Sequence, residues 1–200
     1  MNTARCIEKN IGVILPVEVK KTLYDLSLES RKTGVELGLL MYRSSRNQED
    51  IELSEIIAGR HSSIQIPFSR CRDKPCIAYF HTHPLGLPIP SYGDVSAFCI
   101  AVDLFDSFST LRSFIIGSGI LRDKPTAGIA YYTLYNPASL DRFCRELSSS
   151  LLEARNIDNP LAIPIATSNV VKKYFSIYLE EYVDGELDAT GSYCVEDPST

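Results

Sequence analysis

The chain has 200 residues, of which 44% are apolar and 22% charged, so it can bury a core without relying on staples, and one main domain is the natural expectation. The formal charge of −5 leaves no basic field of the kind nucleic-acid readers present, and no apolar run approaches the roughly 18 residues of a membrane span. The polar start Met1 to Asn10 lacks the apolar core of a secretory leader, which predicts a cytoplasmic protein.

In chain order, Val17 to Ser30 carries apolar residues at Val19, Leu23 and Leu26 and reads as an amphipathic helix ending before Gly34. Val35 to Tyr42 and Ile51 to Ala58 read as strands joined by the polar hairpin connection Arg43 to Asp50. In the first of these, Val35, Leu37, Leu39 and Met41 share one face and Glu36 lies with Gly38 on the other, the glycine leaving room for a metal or substrate. Arg70, Arg72 and Lys74 form a basic cluster, either a solvated loop or a face for acidic groups of a partner protein. Cys76 to Phe80 supplies the next strand, and it runs into Tyr79-Phe80-His81-Thr82-His83-Pro84.

Side chains at i and i+2 of a strand point the same way, so His81 and His83 can grip one ion. Across a ten-residue gap after His83 comes Asp94, placed to be a third ligand, which leaves a fourth position for water as catalytic zinc sites do. Ser91 followed three residues later by Asp94 is also how a helix start is capped, and Val95, Phe98, Cys99 and Val102 supply the helical period behind it. The two readings are compatible, because a capped first turn can aim its carboxylate at an ion beside the strand end. Between them, Leu85 to Pro90 is too rich in proline for regular structure and forms a loop whose apolar side chains either shape a groove or seal onto the core.

Strand character returns at Ser113 to Gly117 and Gly128 to Leu134, and Pro137 opens a helix carrying Leu140, Phe143, Cys144, Leu147 and Leu151. These elements predict an α/β fold with a mixed, mostly antiparallel sheet flanked by helices. Beyond Asn156, prolines 160 and 164 break structure, Val170 to Val183 reads as a strand or an amphipathic helix, and from Glu180 onward there are acids but no Lys or Arg, as in a partly ordered tail. The alternative is that residues 165 to 185 add an element to the domain or form an oligomer contact. The cysteines at 6, 71, 76, 99, 144 and 194 form no compact framework; Cys71 and Cys76 are expected as free thiols, and Cys99 and Cys144 as core residues.

Hydrolysis at such a centre needs a proton acceptor and a donor to the developing oxyanion. Ser91 is the candidate donor rather than a nucleophile. For the acceptor, Glu36 competes with Glu49, Glu52 and Glu55, while His61 reads as a turn residue outside the metal shell.

His81-x-His83-Pro84, six residues, then Ser91-x-x-Asp94 resembles the signature of the JAMM, or MPN-plus, zinc metallopeptidases. The family places a glutamate on the first strand after its first helix, and Val35 to Leu40 resembles that segment, which makes Glu36 the general base. The resemblance covers residues 12 to 155 and leaves 156 to 200 as a C-terminal extension. It implies a cytidine-deaminase-like JAMM core, a Zn2+ cofactor, and cleavage of isopeptide or peptide bonds at the C-terminus of a ubiquitin-like or sulfur-carrier protein. Alternatives within the fold are a non-catalytic interaction scaffold, which would lack the ligands this chain retains, and a RadC-like metal protein, which carries Asn where Thr82 stands.

Overall fold

The computed structural model describes residues 7–44, 50–72, 74–104, 111–121 and 123–193. After a one-turn helix at Ile11–Ile14, helix α1 spans Val17–Thr33. Glu18 in its first turn and Arg31 and Lys32 in its last complement the helix dipole. Gly34 ends it in the left-handed conformation (φ 69°) with its N–H on the Ser30 carbonyl, the conformation glycine adopts without steric cost.

The strands are β1 (Leu37–Arg43), β2 (Ile51–Leu53), β3 (Ile57–Ala58), β4 (Cys76–Thr82), β5 (Ser113–Ile120), β6 (Thr126–Leu134), β7 (Phe175–Val183) and β8 (Glu186–Tyr193). They form one mixed sheet in the order β2-β1-β4-β5-β6-β7-β8, with β3 also paired to β1. Helices α2 (Tyr92–Leu104), α3 (Leu140–Ala154) and α4 (Ala162–Tyr174) complete it. The predicted α/β class with a mostly antiparallel sheet and flanking helices is what the structure shows. Among the described residues only β4 and β5 run parallel, and α2 lies in the connection between them, as a parallel pair requires a crossover.

Two cores cover the two faces of the sheet. On one, Leu23 and Leu26 of α1 pack on Leu39, Phe80, Ile115 and Ile129. The helix backbone comes so near that a Cβ at Gly119 would stand 2.4 Å from the Ser27 carbonyl oxygen, so only glycine fits there. On the other face, Val95 and Phe98 of α2, Phe143 of α3 and Val171 of α4 enclose Leu40, Phe114 and Phe175.

Several expectations change. The single strand predicted over Ile51 to Ala58 is two short ones, because the Ser54 hydroxyl accepts the Leu40 N–H at 2.9 Å and interrupts the ladder. Most of the hairpin connection before it, residues 45–49, lies outside the described residues. Pro164 does not break α4, since it sits in the first turn, where its missing N–H has no intrahelical partner to lose. The segment Val170 to Val183 divides into the end of α4 and the whole of β7, which pairs with β6 from Leu134↔Phe175 to Thr126↔Val183. Residues 165 to 185 thus add elements to the domain, and Asp184 (φ 54°) and Gly185 (φ 85°) turn the chain into β8, so the acidic stretch expected to be a partly ordered tail is a hairpin as far as Tyr193.

Nor are the described cysteines free. Cys71, at the end of a 3-10 turn over Phe68–Arg72, is disulfide-bonded to Cys76 at the start of β4, with Cα atoms 5.3 Å apart. Cys99 of α2 is bonded to Cys144 of α3, with Cα atoms 5.8 Å apart. The helical periods that set Cys99 and Cys144 half-buried against the core turn them toward each other, and the turn brings Cys71 back onto the strand that Cys76 opens; both separations suit a disulfide. Cys6 and Cys194 lie outside the described residues. Among the described residues, no helix is long and apolar enough to cross a membrane.

Candidate metal centre

The site lies at the C-terminal end of β4, where α2 begins. β4 runs to Thr82, past the predicted Phe80, and the ladder continues one residue further as the His83 N–H donates to Gly117 O at 2.8 Å. His81 and His83 therefore share the α2 face of the sheet. Their Nε2 atoms are 3.1 Å apart. Asp94, in the first turn of α2, sets Oδ1 3.1 Å from His81 Nε2 and Oδ2 3.3 Å from His83 Nε2. A tetrahedral ion with arms of about 2.0–2.1 Å has ligand-to-ligand edges of about 3.3 Å, so the three donors fit one ion. His81, His83 and Asp94 could thus hold a metal ion.

Each ligand is oriented from behind. The Ser91 N–H donates to Asp94 Oδ2 at 2.6 Å and the Asp94 N–H donates to Ser91 Oγ at 3.3 Å, the reciprocal bonding of a capping box, so the capping and metal readings coexist. The buried Tyr79 hydroxyl donates to the Asp94 carbonyl at 3.1 Å. His83 Nδ1 lies 3.1 Å from Leu87 O; donating there leaves the Nε2 lone pair facing the centre. His81 Nδ1 is buried with no partner among the described residues, and its ring is held by stacking on Tyr79 at 6.1 Å between centroids.

The electrostatics follow from this crowding. Burial alone would raise the Asp94 carboxyl, but hydrogen bonds and charge from His81 and His83 outweigh it and hold the group well below the usual carboxylate range. Burial likewise works to lower the His83 imidazole, yet the hydrogen bond and charge of Asp94 carry it above its ordinary value. Glu36 is raised, chiefly by burial, with the two histidines partly offsetting it and Asp94 adding to it.

Glu36 sits just before β1, its N–H on Arg60 O at 2.9 Å and its carbonyl accepting from Gly59 at 2.8 Å. It is buried and lines the same cavity, of about 510 Å³, as His81, His83, Ser91 and Asp94. It stands outside the converging ligand set. Gly38, the cross-strand partner of His81, does not open space for a ligand: a Cβ there would meet Ile64 Cδ1 at 2.8 Å and Ile66 Cδ1 at 2.9 Å. The glycine admits those two isoleucines as cavity wall.

The competing acids are engaged elsewhere, Glu55 with Arg70 at 2.6 Å and Glu52 with Lys74, so two members of the basic cluster are paired within the chain. Glu49 lies outside the described residues. His61 is exposed at a bend and outside the ligand set, as expected of a turn residue outside the metal shell, and it also lines the cavity, with Nδ1 on Gly34 O at 2.5 Å. The signal that brings it there is the Glu36–Arg60 backbone pairing, which periodicity does not reveal. In the proline-rich loop, Leu85, Leu87 and Ile89 are 78%, 65% and 54% exposed and do not seal onto the core. The loop is held instead by polar contacts: Arg31 donates to Pro84 O and Tyr132 to Pro88 O, both at 2.9 Å, and Ser118 donates to Gly86 O.

Compared with known proteins, the chain matches no family model and no curated protein.

Proposed function

We propose that this chain is a zinc-dependent metallopeptidase that hydrolyses isopeptide or peptide bonds at the C-terminus of a ubiquitin-like or sulfur-carrier protein. The observation that carries the reading is the convergence of His81, His83 and Asp94 on one ion-sized point inside a cavity that Glu36 and Ser91 also line. The JAMM-like spacing of those residues and the mixed sheet, with the parallel pair β4 and β5 at the site, support the same conclusion.

Zinc, when bound, supplies a Lewis acid that polarises the scissile carbonyl and acidifies water. His81, His83 and Asp94 would hold it. Glu36 takes the proton of the attacking water and delivers it to the departing amine, and its buried, raised carboxyl is a stronger base than a solvated one. The Ser91 hydroxyl donates to the carbonyl oxygen as negative charge develops there. Its backbone N–H stays on Asp94, so orienting the ligand and stabilising the oxyanion use different atoms of one residue.

The cytoplasmic location expected from the sequence belongs to this proposal and stands against two disulfides, which persist in oxidising compartments. Trapping thiols in cells before lysis separates the alternatives, because a reducing compartment would leave Cys71, Cys76, Cys99 and Cys144 open to alkylation.

The test of the activity is cleavage of a panel of ubiquitin-like and sulfur-carrier fusions by the zinc-loaded parent and by Glu36→Gln. The parent should cleave at least one fusion, and the variant should keep its zinc while losing about two orders of magnitude or more in rate. Parental turnover by Glu36→Gln would assign the proton transfer to another residue.

A further inference from the structure

The two disulfides differ in their surroundings. Cys71 and Cys76 are fully buried. Cys99 and Cys144 are half-buried at the rim of the core, and their chain neighbours Ile100 and Arg145 are exposed, so a reductant can reach this pair from solvent.

The accessible bridge sits on the helix that supplies a metal ligand. Asp94 stands in the first turn of α2, and Cys99 follows five residues later, about 7.5 Å further along the axis. Apart from the bridge, α2 enters the core through the apolar Val95, Phe98 and Ala101 and meets β4 where the Tyr79 hydroxyl donates to the Asp94 carbonyl. The bridge ties α2 to α3, and an ion held by His81, His83 and Asp94 would tie the same helix to β4. Both ties restrict one body, so whichever forms first reduces the conformational entropy lost when the other forms. Ties coupled in this way strengthen each other, and by linkage to the same extent.

We propose that the Cys99–Cys144 bridge is a redox switch on the metal centre: closed, it holds Asp94 in place for the ion, and opened by a dithiol reductant, it lowers the affinity of the site for zinc. Its action on zinc rests on His81, His83 and Asp94 holding the ion, and its action on catalysis rests on the hydrolase reading as well. A thiolate of the reductant attacks the Sγ of one cysteine, the S–S bond breaks, and a mixed disulfide forms; the second thiolate of the reductant then displaces the protein sulfur. Two electrons pass to the protein, two protons end on the Cys99 and Cys144 thiols, and the reductant leaves as a disulfide. The buried Cys71–Cys76 bridge is out of reach of a bulky dithiol and opens more slowly. A bridge of this kind is compatible with a reducing compartment, where disulfides are chiefly transient and sensing ones.

The test is zinc affinity of the full chain, measured by competition with a chromogenic chelator at a temperature below the melting transition of every form. The oxidised parent is set beside the parent reduced with dithiothreitol and desalted without oxygen, with alkylation mapping which pair has opened. Opening Cys99–Cys144 should weaken zinc binding about tenfold. Cys99→Ser paired with Cys144→Ser, which offers the ion no thiolates at these positions, should bind like the reduced parent and should not respond to reductant. In glutathione buffers, saturating zinc should shift the parent's pair toward the disulfide by the same factor, a measurement that needs no substitution. Equal affinities of the oxidised and reduced parent, a serine pair that binds as tightly as the oxidised parent, or a shift toward the dithiol would overturn the switch and leave the metal site standing. No zinc uptake in either state would overturn the metal site and the switch with it. A redox-dependent affinity without cleavage of any fusion would retain the switch and reject the hydrolase.

Discussion

The hydroxyl of Thr82, the residue between the two candidate imidazole ligands, donates to Ser30 Oγ at 2.6 Å and accepts the Leu37 N–H at 2.8 Å. Helix α1, the start of β1 beside Glu36 and the end of β4 are thereby tied at one buried point. Thr82→Val keeps the shape and leaves the Leu37 N–H without an acceptor, which should cost about 1–3 kcal/mol in denaturant unfolding. Thr82→Ser should recover most of that loss. Equal stability of the Val variant and the parent would show that the tie contributes nothing.

Ser91 caps α2 as well as facing the cavity. Ser91→Ala should lower stability by about 0.5–2 kcal/mol through the lost cap. Its effect on rate should be larger than that loss explains, because the fraction folded at room temperature hardly changes. A kcat equal to the parent's, with the stability loss present, would restrict Ser91 to capping.

The pH dependence of the metal-free protein follows from two shifts of opposite direction. His83 is raised in the folded state, so its contribution to stability is complete below its ordinary value near 6.5 and fades as pH rises through the folded one. Asp94 is lowered, so its contribution is present above the ordinary carboxylate range and fades as pH falls below it. The stability difference between the parent and His83→Ala should therefore shrink from pH 6 to pH 8, measured by urea unfolding in chelator. Metal binding requires the neutral ring, so affinity should rise over the same interval. A difference that grows with pH would contradict the assigned pairing.

The Cys99–Cys144 bridge closes a 45-residue separation between α2 and α3. Cys99→Ser paired with Cys144→Ser should lower unfolding free energy by about 2–4 kcal/mol, the usual range for a loop of this size. Loss of zinc stoichiometry in that variant would show that the bridge also positions Asp94, five residues before Cys99 on the same helix.

Local chemistry was legible where it repeats at short range. The period of α1, the strand into His81, and the Ser91 and Asp94 cap were all readable because each depends on residues within one turn or one strand. What the sequence hid depends on distant neighbours. Ile64 and Ile66 fill the space over Gly38, Arg60 pairs with Glu36 and brings His61 into the cavity, and β7 finds its ladder on β6 across some fifty residues. The disulfides belong to that class, since Cys99 and Cys144 meet only when two helices pack. The acidic composition after Glu180 suggested a tail, but Tyr182 and Tyr131 hydroxyls and Lys20 satisfy Glu180 inside the fold.

The central claim is that three side chains at the end of β4 and the start of α2 grip one ion. Metal content of protein purified without chelator, set beside that of His83→Ala, tests it most directly. About one zinc per parent chain and none on the variant is the expected result; a parent that neither carries zinc nor takes it up, or a variant that keeps it, would contradict the account.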